Sequence, residues 1–123
     1  MYGDVLHDAQ PVRELIERGL KVHIEGSRPF LEIERYVTRK DDKGRIWGPD
    51  HAIDRKTALL MKTRWAARFI AEDDRLGSIE PGKLADLAVL GRDYLKIPAQ
   101  EISEMPVVAT MVGGRFVYEA EAK

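Results

Sequence analysis

The sequence predicts an α+β fold. A helix, a strand and two helices come first, and a small antiparallel sheet follows. Three observations carry this. Apolar residues recur at helical spacing in three stretches before residue 72. Between the first two of them, Lys21–Glu25 alternates with period two, so one strand is bracketed by helices and reads as a piece of a βα barrel or α/β sheet. Beyond residue 84 the apolar runs are β-rich, and Gly113-Gly114 divides two of them as a hairpin turn would.

Each element has a local reason. Pro11 to Arg18 (PVRELIER) has proline in its first turn and Val12, Leu15 and Ile16 at helical spacing, and Gly19 supplies the stop. In Lys21–Glu25, Val22 and Ile24 share one face and His23 and Glu25 the other. Gly26-Ser27-Arg28-Pro29 opens a loop. A helix over Pro29 to Thr38 follows, with Phe30, Ile33, Tyr36 and Val37 as its apolar set. Residues 39–53 form a charged connection. Asp54 then N-caps one continuous helix to about Ala71, with Trp65 and Phe69 on its core face. Pro81-Gly82 suits the central positions of a type II turn. Strands are expected over Ala85–Leu90 and over 107–119.

Composition excludes several functions. With 123 residues the chain has room for one modest core. Its net charge of −1 provides no field to attract nucleic acid or an anionic membrane, so neither is expected as a partner. No run of 18 apolar residues is present to span a bilayer. The polar, acidic start MYGDVLHDAQ argues against a signal peptide. Cysteine is absent, which removes disulfides, thiolate metal sites and cysteine nucleophiles, and fits a cytoplasmic location.

The stretch TALLMKTRWAARFIAEDDRLGSIEPGKLADLAVLGRDY, with the later VVATMVGGRFVY, resembles the C-terminal end of the metal-dependent amidohydrolases, in particular amidohydrolase family 3. Thr63, Ala66, Gly77, Ser78, Ile79, Glu80, Gly82, Lys83, Ala85, Asp86 and Leu87 carry the likeness, and Thr110, Val112, Gly114, Val117 and Tyr118 extend it. The resemblance implies the last strand and helices of a (β/α)₈ barrel over residues 1–75. Over 76–123 it implies the C-terminal part of a composite β-sandwich, the two making one compact unit. A whole barrel needs about 250 residues, so the resemblance also implies that most of the barrel is not in this chain.

Members of that family hydrolyse C–N bonds with zinc or another divalent metal. The resemblance implies an H-x-H pair, further histidines and a G-S-D aspartate that takes a proton from metal-bound water. This sequence has no H-x-H and three histidines, and Arg28 follows Gly26-Ser27. A guanidinium cannot act as a base near neutral pH. Either the aspartate is replaced, or the register slips and Glu25 takes its place. His23 is the candidate metal ligand and Glu25 the candidate catalytic residue, since both lie on one strand face. A hydrogen-bonded surface pair is the plainer reading of the same two residues. His51 follows Gly48-Pro49-Asp50 in a polar connection just before the Asp54 N-cap, and His7 lies in an N-terminal arm where the sequence offers it no partner. Arg13, Arg28, Arg35 and Arg39 could gather around an anion, and Lys83 and Asp86 are expected to satisfy local backbone groups or each other.

The expectation is therefore a chain that holds no cofactor of its own and is inactive alone. It is either the C-terminal piece of a hydrolase or a non-catalytic binding module derived from one. Its partner is a second copy or the missing N-terminal barrel portion, because strands and helix faces that a barrel would cover are left open.

Overall fold

The structure, a computed structural model, describes residues 11–121. Four helices precede three strands: α1 (Val12–Glu17), α2 (Pro29–Thr38), α3 (Arg55–Lys62), α4 (Arg64–Phe69), β1 (Leu87–Leu90), β2 (Val107–Val112) and β3 (Arg115–Glu119). Short 3₁₀ turns at Pro49–His51 and Ala99–Glu104 complete the list.

The helices end where their sequences direct. Gly19 follows α1 with φ +89° and donates its N–H to the Ile16 carbonyl. Pro29 opens α2, and Arg39 closes it in the left-handed conformation. Asp54 caps α3 by accepting the Thr57 N–H at 3.0 Å.

The expected continuous helix from Asp54 to Ala71 is broken at Thr63, with φ −121° and ψ −92°. The cause is a competition for one carbonyl. The Thr63 hydroxyl donates to the Leu59 oxygen at 2.7 Å, the acceptor that its own N–H would use in a regular helix. That N–H turns to Leu60 instead, at 3.2 Å. The chain restarts as α4, and Gly77 packs into the break with φ +84°. A Cβ there would sit 2.7 Å from the Ala67 Cβ and 2.9 Å from the Arg64 Cα.

The expected strand over Lys21–Glu25 does not form a ladder. Strand structure needs a neighbour to exchange main-chain hydrogen bonds, and the described residues supply none alongside it. The Ile24 N–H goes to the Met61 carbonyl at 3.3 Å. Ile24 itself is buried, as the alternation required.

The three strands pair antiparallel in the order β1-β2-β3. Gly113 and Gly114 form the β2–β3 turn, both at positive φ, which a tight hairpin turn needs. A bulge shifts the register between Thr110 and Met111, so β3 carries one extra residue. Strand β1 starts at Leu87, two residues later than the sequence suggests.

One core joins both halves. Ile33 from α2, Met61 from α3 and Ile102 from the 3₁₀ turn are its largest fully buried side chains. Val12, Ile24, Ile53, Ala58, Tyr94, Ile97 and Met105 belong to the same cluster. Tyr94 and Arg55 lock the halves with reciprocal bonds, each side chain donating to the other's carbonyl at 2.9 Å. Burial pushes the Tyr94 phenol up to about 12. The Ser103 N–H donates to the Glu34 carboxylate at 2.7 Å and holds the 3₁₀ turn on α2. The sheet meets this core at Leu90 of β1, and all of β3 is exposed.

Gly77→Ala should destabilise the chain by roughly 2 kcal/mol or more, since it combines a left-handed residue with a Cβ overlap on α4. Urea unfolding measures it. A midpoint equal to wild type would show that the break does not require glycine.

Candidate functional site

The sequence-predicted site lies at the end of the extended segment, and a lysine from α3 organises it. The Lys62 ammonium donates to the Ile24 carbonyl at 3.1 Å, to the Gly26 carbonyl at 3.3 Å and to the Glu32 carboxylate. Glu32, on the first turn of α2, also accepts the Arg28 N–H at 3.0 Å. Gly26 has φ +128°, and a Cβ there would lie 2.0 Å from the Glu32 Oε1. Glycine at 26 is thus required twice, by its backbone angle and by the carboxylate packed against it. Burial works to raise the Glu32 pKa. The Lys62 and Arg28 hydrogen bonds, with the charges of Lys62 and Arg35, outweigh that and hold it below the ordinary carboxylate value.

His23 and Glu25 do come together, with Nε2 and Oε1 at 3.3 Å. The His23 ring also stacks on Phe69, centroids 3.8 Å apart, while Lys21 sits over Trp65 at 4.8 Å. The period-two face therefore packs on α4. Trp65 is partly buried against the core, whereas Phe69 is largely exposed and is covered by His23 rather than by the core.

These residues do not by themselves make a site for zinc or another divalent metal. Two donors are present, one with its ring against Phe69. Among the described residues no group of three His, Asp or Glu converges as a ligand set. The next charged side chain along the chain is the Arg28 guanidinium, which repels a cation. His51 lies in the 3₁₀ turn Pro49–His51, and His7 falls outside the described residues.

The four arginines divide. Arg35 and Arg39 line a cleft of about 220 Å³ with Ile24, Glu25, Glu32 and Tyr36. Arg35 pairs there with Asp42, and the Arg39 Nε donates to the Trp47 carbonyl at 2.9 Å. Arg13 is on α1 and pairs with Glu17. Arg28 meets Glu32 through its main chain, its N–H donating to the carboxylate and its carbonyl accepting the Glu32 N–H at 3.1 Å.

Lys83 and Asp86 satisfy backbone groups, each at a different place. The Lys83 ammonium donates to the Asp73 carbonyl at 2.6 Å, the Leu76 carbonyl at 3.3 Å and the Ser78 hydroxyl at 2.7 Å. Asp86 accepts the Gly113 N–H at 2.7 Å and steadies the hairpin turn. The Gly-Ser-Ile-Glu-Pro-Gly-Lys stretch is thus a structural clasp between α4 and the sheet.

With that geometry established, comparison with known proteins is informative. The sequence pattern of the amidohydrolase family matches residues 4–118. An N-substituted formamide deformylase of Arthrobacter pascens is 34% identical over 115 residues, 89% of this chain and 21% of that protein. Protein LONG AFTER FAR-RED 3 of Arabidopsis thaliana is 39% identical over 91 residues, 73% of this chain and 15% of its own. A 5-methylthioadenosine/S-adenosylhomocysteine deaminase of Thermodesulfovibrio yellowstonii is 35% identical over 86 residues, 65% of this chain and 19% of its own. Among solved structures, an amidohydrolase from Thermotoga maritima superposes with a TM-score of 0.52 at 21% identity, covering 97% of this chain and 36% of that one. The chain therefore spans about a fifth of the length of these curated relatives.

Lys83→Met should cost about 2–4 kcal/mol, because it leaves two carbonyls and a hydroxyl without their donor in a side-chain site that is 9% exposed. Thermal unfolding reads it, and an unchanged Tm would show the clasp to be dispensable.

Proposed function

The chain belongs to the amidohydrolase family, and we propose that it is the closing, C-terminal segment of an enzyme that hydrolyses C–N bonds of small molecules. The observation that carries this reading is coverage. The family pattern takes in nearly the whole chain, residues 4–118, while the chain takes in only 21% of the deformylase and 36% of the solved amidohydrolase. The deformylase and deaminase names among its relatives both describe removal of a group at a carbon–nitrogen bond. In the complete protein, zinc or another divalent metal would supply an activated water. Its ligands would come chiefly from strands this chain does not contain.

This chain's contribution is scaffold. It brings the end of the last barrel strand, the helices that cover it and part of the sandwich. His23 and Glu25 are the groups it can offer toward the site, as candidate ligand and candidate catalytic residue. They are two donors only, and Arg28 follows Gly26-Ser27 where the resemblance implies an aspartate, unless the register slips and Glu25 takes that place; on this reading the chain alone is inactive. A cytoplasmic location goes with this reading, on the absence of cysteine. No helix among the described residues is long and apolar enough to cross a membrane.

A second reading has its own observation. Val89, Val112, Phe116, Val117 and Tyr118 are exposed on the sheet. A non-catalytic module that binds a partner, or a second copy of itself, would use such a surface. Both readings require that something cover the sheet, either the missing N-terminal barrel portion or another copy.

The purified chain should bind no stoichiometric zinc and should turn over no formamide, hydantoin or dipeptide in a chelator-sensitive way. Metal analysis with a substrate panel checks this. Stoichiometric metal with turnover that chelators abolish would contradict the inactivity of the isolated chain.

A further inference from the structure

We propose that Lys62 and Glu32 are positioning residues, a latch that holds the Gly26–Arg28 turn and thereby sets where the side chain of residue 28 stands. The proposal rests on the amidohydrolase reading for one point only, that this turn ends the last barrel strand. The latch itself follows from the geometry of this chain.

Beyond the α2 bond from the Glu32 N–H to the Arg28 carbonyl at 3.1 Å, three main-chain groups of the turn are held by these two side chains. Lys62 takes the Ile24 and Gly26 carbonyls. Glu32 takes the Arg28 N–H. Met61, adjacent to Lys62, takes the Ile24 N–H. The ammonium and the carboxylate then bond to each other, and their side chains are 14% and 16% exposed. In a site so little exposed to water, a charged partner left alone is costly, so the two sides hold or release together. Lys62 comes from α3 and Glu32 from α2, so the pair also fixes both helices to the turn between them.

A merely stabilising ion pair needs none of this detail. It needs opposite charges at two positions, in either order. The latch needs a side-chain acceptor at 32 to receive the Arg28 N–H, which a lysine there cannot supply. Exchanging the charges therefore separates the two roles. Protonation offers a second handle. Glu32 faces Lys62 from α3 and Arg35 from its own helix, and Glu25 and Arg39 line the same cleft. Its carboxyl is held below the ordinary value in the fold. The sign follows: the stabilisation is present above the unfolded value of about 4.3 and is lost as pH falls through the lower folded value.

Amide hydrogen exchange on the 123-residue chain tests the proposal. Lys62→Met and Glu32→Ala should each speed exchange of the Arg28 amide by about tenfold or more relative to Thr110 in β2. Lys62→Arg, which keeps the donors, should stay within about threefold of wild type. The exchanged pair, Glu32→Lys with Lys62→Glu, should remain fast. Acidification of wild type should move the Gly26 and Arg28 resonances in the acid range, and Glu32→Ala should abolish that movement. An unchanged Arg28 rate in Lys62→Met, or recovery in the exchanged pair, would overturn the latch. Should Lys62→Met fail to fold, the wild-type acid titration decides alone, and immobile Gly26 and Arg28 resonances would overturn it. None of these readouts involves hydrolysis, so failure of the enzyme reading would appear separately, in the metal and substrate assays.

Discussion

Burial of Ile102 in the core of Ile33 and Met61 is the interaction on which the rest of the structure depends. Those three side chains come from a 3₁₀ turn, α2 and α3, and they are the largest that exclude water completely. Fully burying a side chain of this size is worth about 1.5–3 kcal/mol each. Ile102 sits between β1 and β2 in the chain, so its burial brings the connection between the strands back onto the helices. The Tyr94–Arg55 exchange and the Ser103–Glu34 bond then fix the orientation of that return. Without it, the sheet would be tied to the rest chiefly through the loop after α4, where Lys83 holds Asp73, Leu76 and Ser78.

The same constraint explains what is left open. A core anchored on the connection reaches the sheet at Leu90, the last residue of β1, and leaves many of its other apolar side chains accessible. Strand β3 is exposed along its length, and apolar side chains of β1 and β2 are also accessible. The extended segment at 21–25 buries Ile24, yet among the described residues it has no strand beside it. Its face of Lys21 and His23 finds Trp65 and Phe69 instead. A small sheet needs three or more strands with a hydrophobic face, or packing against a helix, for independent stability. These features fit the proposal that the chain is one part of a larger amidohydrolase, of which it spans only a fraction of the length.

Much of this was legible in the sequence where the cause is local. Gly19, Asp54, Pro81-Gly82 and Gly113-Gly114 each act through their own backbone angles or caps, and each sits where expected. The family resemblance rested on the same punctuation. Other features depend on contacts far along the chain. Thr63 looks like any threonine in a helix; only its hydroxyl's capture of the Leu59 carbonyl breaks the run. The alternation at 21–25 correctly buries Ile24, but pairing depends on neighbours that an alternation does not reveal. Phe69 has core spacing, yet no core residue lies opposite it. Lys62 and Glu32 are 30 residues apart, with no motif to connect them. The candidate site was legible only as His23 beside Glu25; the clasp that shapes its end was not. Ile102 lies in a stretch without clear periodicity, so the residue that joins the halves left no signal.

The central claim is that this chain is an incomplete unit whose open sheet and helix faces need cover. Light scattering at micromolar concentration tests it most directly, because a lone chain can cover those faces only with another copy. The account predicts an assembly of at least two copies of the 14.0 kDa chain. A monodisperse monomer with cooperative unfolding would show that the chain satisfies its own surfaces, and would contradict it.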